Sequence, residues 1–283
     1  MLKLRVITAV VLLAVLLPAM AYPSATPFCV VALVLIAAAG WEWGRLNGCA
    51  QAMSIGLALG CVLLCTLAWY AGLLEKSLPQ LWTLTGAGWV LAGGWMLRKG
   101  TAGWLLVAKP ARLLTGVVAL CLAWLAMAQA RVIGVNFLLS VLVLVWAADI
   151  FAYIAGRTLG GRFSKGKLAP AISPGKSWEG VWGGMAGVVV LGFSWVAIEA
   201  RTGGAAGASL YMRLWQQHGA ALMLIALLFL AAMSVVGDLV ESLVKRSAGV
   251  KDSSGLLPGH GGVLDRIDAL LPVLPLALML VNF

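Results

Sequence analysis

The chain contains few charged residues: only 11% of its 283 residues are Asp, Glu, Lys or Arg, whereas 62% are hydrophobic. Soluble domains carry about 25% charged residues, so this composition excludes an ordinary soluble domain. Because a membrane span needs about 20 apolar residues, the length accommodates eight or nine spans with short loops. The sequence therefore predicts an all-α, polytopic integral membrane protein that forms a single membrane domain over residues 1–283.

Cysteine and histidine are also scarce. The five cysteines lie mostly inside apolar runs and form no Cys-x-x-Cys pair, which excludes a zinc ribbon or a disulfide framework. With only His218 and His260 present, a histidine metal centre is not expected. The net charge is +10. In a membrane protein, the location of the basic residues relative to the spans is more informative than their sum, and no nucleic acid is predicted as a partner.

Apolar runs between polar segments predict nine helices. The first run follows Lys3 and Arg5 and could imitate a signal peptide. We expect it to be retained, because the cleavage pattern is weak and another span follows at once. The spans lie near 6–21, 27–44, 52–73, 82–97, 111–130, 133–156, 178–199, 219–246 and 264–282.

The basic residues are distributed unevenly across these spans. If the spans alternate in direction, only Lys76, Arg131, Arg201 and Arg213 of the 20 Lys and Arg residues lie on the side opposite the N-terminus. Cytoplasmic loops are enriched in Lys and Arg. The N-terminus and any site on its side are therefore predicted to face the cytoplasm across the cell (inner) membrane, with Phe283 on the other side.

Two carboxylates lie within predicted spans, where an ionisable residue indicates function by default. Asp149 and Asp238 are each about 10–12 Å from the cytoplasmic end of their helix at 1.5 Å per residue. On the eighth span, polar groups recur every three or four residues and predict one face turned away from lipid. The alternative role for this face is hydrogen bonding between helices. Its residues are Ser234, Asp238, Glu241, Ser242 and Lys245.

The ninth span begins with Asp265 and Asp268 at i and i+3, a spacing that places both on one helical face. Two close carboxylates repel each other unless a cation lies nearby, although acids also stabilise a helix N-terminus. Together with Asp149 and Asp238 they form an oxygen-only set suited to Mg²⁺. Nearby cations could hold polyphosphate against that ion.

Residues 160–180 form a second polar segment on the same side. Pro174-Gly175 predicts a turn, and Lys176 and Ser177 precede a helix whose free N–H groups could bind phosphate. Pro170 stands where a P-loop requires its first glycine, so a P-loop is excluded. The alternative is that the basic residues of this segment bind anionic lipid headgroups.

The run from Ser242 to Asp268, SLVKRSAGVKDSSGLLPGHGGVLDRID, resembles the signature of the phosphatidate cytidylyltransferases. Further points of resemblance are Trp41-Glu42-Trp43, Asp149 ahead of Tyr153 and Gly156, and Ser173-Pro174 followed by Lys176 and Glu179-Gly180; Ser177 stands where threonine is common. The resemblance implies that CTP and phosphatidic acid, taken from membrane lipid, form CDP-diacylglycerol and pyrophosphate. It implies a requirement for Mg²⁺ and allows a K⁺ ion nearby.

The resemblance and the residue pattern together suggest a role for each polar group. Helices near 1–130 would form the N-terminal part, and the catalytic helices and cytoplasmic loops would occupy about 131–283. His260 is expected to be either a phosphate donor or a structural turn residue. The predicted catalytic residues are Asp265, Asp268, Asp238 and Lys245; the metal ligands are Asp265 first, then Asp268 and Asp238, then Asp149; the CTP or phosphate contacts are Lys176, Ser177, Arg246, Lys251, His260 and Arg266.

Some alternatives stay open. A CTP-dependent polyprenol or phytol kinase would need the same metal, nucleotide and lipid but would transfer the γ-phosphate. A transporter would use the polar face of the eighth span as an ion path. A CDP-alcohol phosphotransferase is not expected, because its Asp-x-x-Asp-Gly pattern is absent. Gly183, Gly184 and Gly187 could pack against a helix of the same chain or of a second copy in a homodimer.

The charge distribution predicts which loops are accessible from each side of the membrane. Single cysteines in the Gly100→Cys and Gly166→Cys variants should react with an impermeant maleimide only from the cytoplasmic face. An Ala205→Cys variant should react only from the opposite face. Labelling of position 205 from the cytoplasm would contradict the nine-span arrangement.

Overall fold

A computed structural model describes residues 2–164, 166–203 and 207–282, without the side chains of residues 2, 3 and 5. Five residues used in the charge and labelling arguments therefore lie outside the described residues, either entirely or in their side chains. Lys165, Ala205 and Phe283 are outside entirely, and the side chain of Arg5 is not described; the same holds for the side chain of Lys3.

Helices account for most of the described chain. Their bounds are α1 Leu2–Ala21, α2 Thr26–Leu46, α3 Gln51–Tyr70, α4 Pro79–Leu106, α5 Lys109–Ile133, α6 Val135–Leu159, α7 Trp178–Thr202, α8 Leu210–Ser247, α9 Leu264–Ile267 and α10 Leu270–Val281. Two short strands, β1 Lys167–Ala169 and β2 Ser173–Ser177, lie between α6 and α7.

Within the described ranges, six helices are long and apolar enough to cross a membrane: α2, α3, α5, α6, α7 and α8. A multi-pass, mainly helical membrane protein is thus confirmed, whereas the count of nine spans stays a prediction. Among residues with described side chains, α1 contributes the shorter apolar segment Val6–Ala21. The predicted ninth span is divided into α9 and the 12-residue α10.

Helix boundaries follow local chemistry. Ser177 and Ser209 cap α7 and α8, because their hydroxyls accept hydrogen bonds from Gly180 N at 3.2 Å and Met212 N at 3.1 Å. The cap at Ser177 confirms a sequence expectation. Gly219, with φ +74°, interrupts α8, and this break coincides with the predicted start of the eighth span.

The segment before α7 differs from the sequence expectation. Pro174-Gly175 lies within β2, which pairs antiparallel with β1, so the predicted turn at this dipeptide is wrong. The chain instead reverses between Ala169 and Ile172, where Ile172 N donates to Ala169 O at 3.1 Å. Ser, Pro and Gly have low strand propensity. The hairpin is instead held by its surroundings: Ile172 is buried, and Arg246 Nε of α8 donates to Ile172 O at 3.3 Å.

Glycines on α7 allow it to pack closely against α6. A Cβ added to Gly184 would lie 2.8 Å from Ala148 O, and one added to Gly183 would lie 2.1 Å from Ala155 Cβ. Gly187 similarly faces Phe151. These glycines therefore serve packing within one chain, as expected for small residues between membrane helices. A homodimer stays a prediction.

Helix α8 occupies the centre of the fold, in contact with α4, α6, α7 and α10. Its Gly237 lies against the junction of α9 and α10, where an added Cβ would be 2.5 Å from Asp268 O and 2.9 Å from Pro272 Cγ. Backbone atoms at that distance cannot move aside as a flexible side chain can. This contact fixes the polar face of α8 relative to the residues around Asp268.

Gly237→Ala should therefore destabilise the fold by about 1–3 kcal/mol, the usual effect of overpacking. Gly60→Ala in α3 is the matched control, since a Cβ there meets nothing within 4 Å and should be neutral or stabilising. Thermal unfolding of both variants in detergent tests this. Equal unfolding temperatures would contradict the close contact at Gly237.

Candidate active site

A cavity of about 480 Å³ lies between α6, α7, α8 and the end of β2. Asp149 and Asp238 both line it, as their similar predicted depth suggested, together with Lys176 and Ser177. The remaining wall consists mainly of small or apolar residues, which are Ala148, Ala152, Gly156, Gly180, Val181, Gly184, Met185, Ala231 and Val235. The cavity thus combines a charged region with apolar walls between membrane-spanning helices.

An ion pair lies in this cavity. Lys176 Nζ is 2.6 Å from Asp238 Oδ2, and the side chains remain 26% and 30% exposed. Ser242 donates from its hydroxyl to Asp238 Oδ1 at 3.2 Å. Partly exposed ion pairs contribute little to the free energy of folding. Lys176 could therefore exchange Asp238 for an incoming phosphate without a large loss of stability.

Three carboxylates lie close enough to interact electrostatically, and two of them line the cavity. Asp149 and Asp238 interact electrostatically, and Asp268 interacts with both. Asp268 Oδ1 also accepts a hydrogen bond from Ala269 N at 2.7 Å. The three acids come from α6, α8 and the α9–α10 junction. Their mutual repulsion favours a cation among them.

The donor set can be compared with what Mg²⁺ requires. Among residues 2–164, 166–203 and 207–282, no three acidic, His or Cys side chains converge as a preformed metal cluster. Mg²⁺ is commonly bound through one or two carboxylates plus substrate phosphates and waters. The carboxylates of Asp149 and Asp238 at one cavity fit that mode by their chemistry. Metal binding by these residues stays a prediction.

A second group of charges is buried beside the first. Lys245 Nζ lies 2.5 Å from Glu241 Oε2 and 2.5 Å from Asp265 Oδ1, and the three side chains are 11%, 6% and 7% exposed. Lys245 therefore bridges two carboxylates across α8 and α9. The polar face predicted on α8 is confirmed as an inward-facing surface that carries both charge groups.

The carboxylate of Asp265 is heavily hydrogen-bonded. Besides Lys245, it accepts hydrogen bonds from Ser253 N at 2.9 Å, Ser253 Oγ at 2.8 Å and Gly262 N at 2.7 Å. Asp265 and Asp268 thus have different partners despite their i, i+3 spacing. Asp265 lies in the first turn of α9 and binds the loop that precedes this helix. Asp268 lies at the α9–α10 junction and interacts electrostatically with Asp149 and Asp238.

The predicted phosphate contacts fall into two groups. Lys176 and Ser177 lie at the cavity. Arg246 donates to Val250 O at 3.2 Å as well as to the hairpin, and Arg266 donates to His260 O through Nε at 3.0 Å and Nη2 at 2.6 Å. Lys251 is exposed. Within the described part of the chain, His260 Nδ1 is buried without a hydrogen-bond partner.

Sequence reasoning assigned no role to two glutamates that organise the loops. Glu42 is fully buried and accepts hydrogen bonds from Val263 N at 2.9 Å and Leu264 N at 2.7 Å. Glu179 accepts from Ser164 N and Oγ, both at 2.8 Å. An ionisable residue within a membrane span indicates function by default, and this applies to Glu42 at the end of an apolar span as it does to Asp149. Glu179 shows a weaker pattern, an acid in the first turn of a helix.

Comparison with known proteins places the chain in a family. The model of the cytidylyltransferase family matches residues 3–283. The chain belongs to this family. The chain is 37% identical over 281 residues to the phosphatidate cytidylyltransferase of Pseudomonas aeruginosa. The match covers 97% of this chain and 95% of the relative. The resemblance inferred from the signature is thereby confirmed.

Other relatives match mainly part of the cytidylyltransferase. The phosphatidate cytidylyltransferase of Haemophilus influenzae is 47% identical over 142 residues, covering 50% of this chain and 44% of the relative. That of Staphylococcus epidermidis is 39% identical over 149 residues, covering 52% and 50%.

The bridging lysine generates a stability prediction. Lys245→Met should destabilise the protein by about 3–5 kcal/mol, because it leaves Glu241 and Asp265 buried without their shared cation. Adding Glu241→Gln should recover part of the loss. Lys251→Met, at an exposed position, is the control and should change stability by less than about 0.5 kcal/mol. Thermal unfolding in detergent measures all three, and equal values for Lys245→Met and Lys251→Met would refute the buried bridge.

Proposed function

We propose that the chain is a phosphatidate cytidylyltransferase, which joins CTP and phosphatidic acid into CDP-diacylglycerol and pyrophosphate. The supporting observation is the cavity between α6, α7 and α8. It places Asp149, Lys176 and Asp238 beside small apolar walls, so a lipid phosphate and its chains could occupy one space. The full-length similarity to the Pseudomonas aeruginosa relative supports the same reaction.

The reaction requires positioning more than acid–base catalysis. An oxygen of the phosphatidate phosphate attacks the α-phosphorus of CTP and forms a new P–O bond. The bond from the α-phosphorus to the oxygen bridging to the β-phosphorus breaks, and pyrophosphate leaves with that electron pair. A phosphate monoester is largely ionised at neutral pH, so no general base is needed. The protein must hold two anions in line and offset the developing charge.

Lys176 is well placed for this role, because it lies at the cavity and can exchange Asp238 for a phosphate. Asp149 and Asp238 would hold Mg²⁺ together with substrate phosphates, and Asp268 stays a predicted ligand. A bound Mg²⁺ would polarise phosphoryl oxygens and neutralise charge on the leaving group. Asp265 as a ligand stays a prediction, and its four protein donors among the described residues favour a role in holding the loop. K⁺ stays an implication of the family resemblance.

The proposed topology has nine spans, with the N-terminus and the active site on the cytoplasmic side of the inner membrane. The six long apolar helices would supply six of these spans. Helix α1, helix α4 and the α9–α10 pair would supply the other three. One contact supports a common side for the N-terminus and the signature: Thr8 Oγ of α1 donates to Pro258 O at 2.9 Å. The N-terminal helices and the site-bearing second half are proposed as parts of one domain.

The reaction can be tested with purified protein in detergent, phosphatidic acid and CTP labelled at either the α- or the γ-phosphorus. We expect the α-label in the lipid product and the γ-label in pyrophosphate. Transfer of the γ-label to lipid would indicate a lipid kinase instead. Ion flux in proteoliposomes without nucleotide turnover would indicate a transporter.

Asp149→Asn and Asp238→Asn should each lower kcat/KM by about a hundredfold or more, since losing a metal ligand removes several kcal/mol of stabilisation. Each should also raise the Mg²⁺ concentration needed for half-maximal activity. Asp265→Asn should also lower activity. A raised Mg²⁺ concentration in this variant would support Asp265 as a ligand, and an unchanged one would support its role in holding the loop. Glu75→Gln, at an exposed position, is the control. Unaltered Mg²⁺ dependence in the first two variants would exclude them as ligands.

A further inference from the structure

A hydrogen-bonded carboxylate, that of Glu42, links the N-terminal half of the chain to the signature region. We propose that Glu42 is a positioning residue for cytidylyl transfer, acting by closing the signature loop, defined here as residues 252–263. The inference rests on the proposed function and extends it to a residue of the N-terminal half.

Glu42 holds the signature loop at both ends. Near its start, the Ser254 hydroxyl donates to Glu42 Oε1. The Ser253 hydroxyl, whose shorter contact is with Asp265, lies 3.3 Å from Glu42 Oε2. At its end, Val263 N and Leu264 N donate at 2.9 and 2.7 Å. Among the described residues, the groups within hydrogen-bonding distance of this carboxylate belong to positions 253–264. One carboxylate therefore ties together two points of the chain about ten residues apart, and removing it would free the loop between them.

Two glycines allow the backbone to approach this carboxylate and its neighbour. A Cβ on Gly262 would lie 2.2 Å from Glu42 Oε1 and 2.0 Å from Ser253 Oγ. Gly261 has φ +81°, and a Cβ there would lie 2.6 Å from Asp265 Oδ2. The Gly-Gly pair of the signature is thus required for the loop to close around both acids.

The closed loop is connected to the charged residues of the site. The Ser253 hydroxyl lies within hydrogen-bonding distance of both Glu42 Oε2, at 3.3 Å, and Asp265 Oδ2, at 2.8 Å. Asp265 in turn contacts Lys245. Glu42 therefore sets the position of Asp265 and of the loop carrying His260 without touching the cavity.

A carboxylate buried among apolar helices is unfavourable unless it is hydrogen-bonded. Because the loop supplies these donors, the loop and the carboxylate order each other. A glutamine at this position has one carbonyl oxygen and an NH₂ group that would face the N–H donors of the loop. Glu42→Gln should therefore open the loop, whereas a role limited to helix packing would leave the loop closed.

The test compares Glu42→Gln with Glu199→Gln. Glu199 is similarly buried and accepts a hydrogen bond from Ser209 N at 3.0 Å, between α7 and α8, away from the signature loop. In detergent, Glu42→Gln should lower kcat by about tenfold to a hundredfold, as small misplacements of reacting groups do. It should also speed tryptic cleavage after Lys251 several-fold. Glu199→Gln should retain the wild-type kcat and cleavage rate, whatever its unfolding temperature.

A folded Glu42→Gln variant with wild-type kcat and wild-type cleavage would overturn the proposal. If the Glu42→Gln protein cannot be obtained in folded form, the Ser254→Ala variant tests the proposal, because it removes one hydrogen-bond donor and leaves the Glu42 carboxylate in place. It should raise cleavage and lower kcat by a few-fold, and no change in either would also overturn the proposal. If wild-type protein makes no CDP-diacylglycerol, the proposed function fails, while the cleavage comparison still tests loop closure by Glu42.

Discussion

The fold depends on carboxylates placed among apolar helices, where an uncompensated charge is strongly unfavourable. Four acids near the site have a specific compensating group. Glu241 and Asp265 share Lys245, Asp238 pairs with Lys176, and Glu42 accepts backbone and hydroxyl hydrogen bonds. These contacts join helices α2, α8 and α9, the β-hairpin and the loop before α9. The polar site and the helical packing are therefore parts of the same arrangement.

The two groups of charges on α8 have different physical properties. The Lys176–Asp238 pair remains partly exposed at the cavity; under the proposed function, Lys176 would exchange Asp238 for a substrate phosphate. The Lys245 bridge is largely removed from solvent and is better suited to holding α8 and α9 in place. A nucleotidyl transfer between two anions needs both: cations that can move onto phosphate, and a frame that does not move when they do.

Much of the helical architecture could be predicted from hydrophobicity, because a span must contain an apolar run of membrane length. The predicted polar face of α8 was confirmed for the same reason, since Asp238, Glu241 and Lys245 cannot face lipid. The prediction was wrong at Pro174-Gly175, which lies in β2. Local propensity disfavours a strand there, and contacts from α8 to Ile172 stabilise the hairpin.

The sequence by itself determined that the protein is a membrane enzyme of the cytidylyltransferase family, because composition, span length and signature spacing are properties of the linear chain. It also identified Asp149 and Asp238 as polar groups at one depth. Only the tertiary structure decided which charges meet: that Lys245 joins Glu241 to Asp265, and that Glu42 closes a loop more than 200 residues away. Such pairings depend on helix rotation and on glycine-permitted approach of the backbone, and neither is encoded in the spacing of residues along one helix.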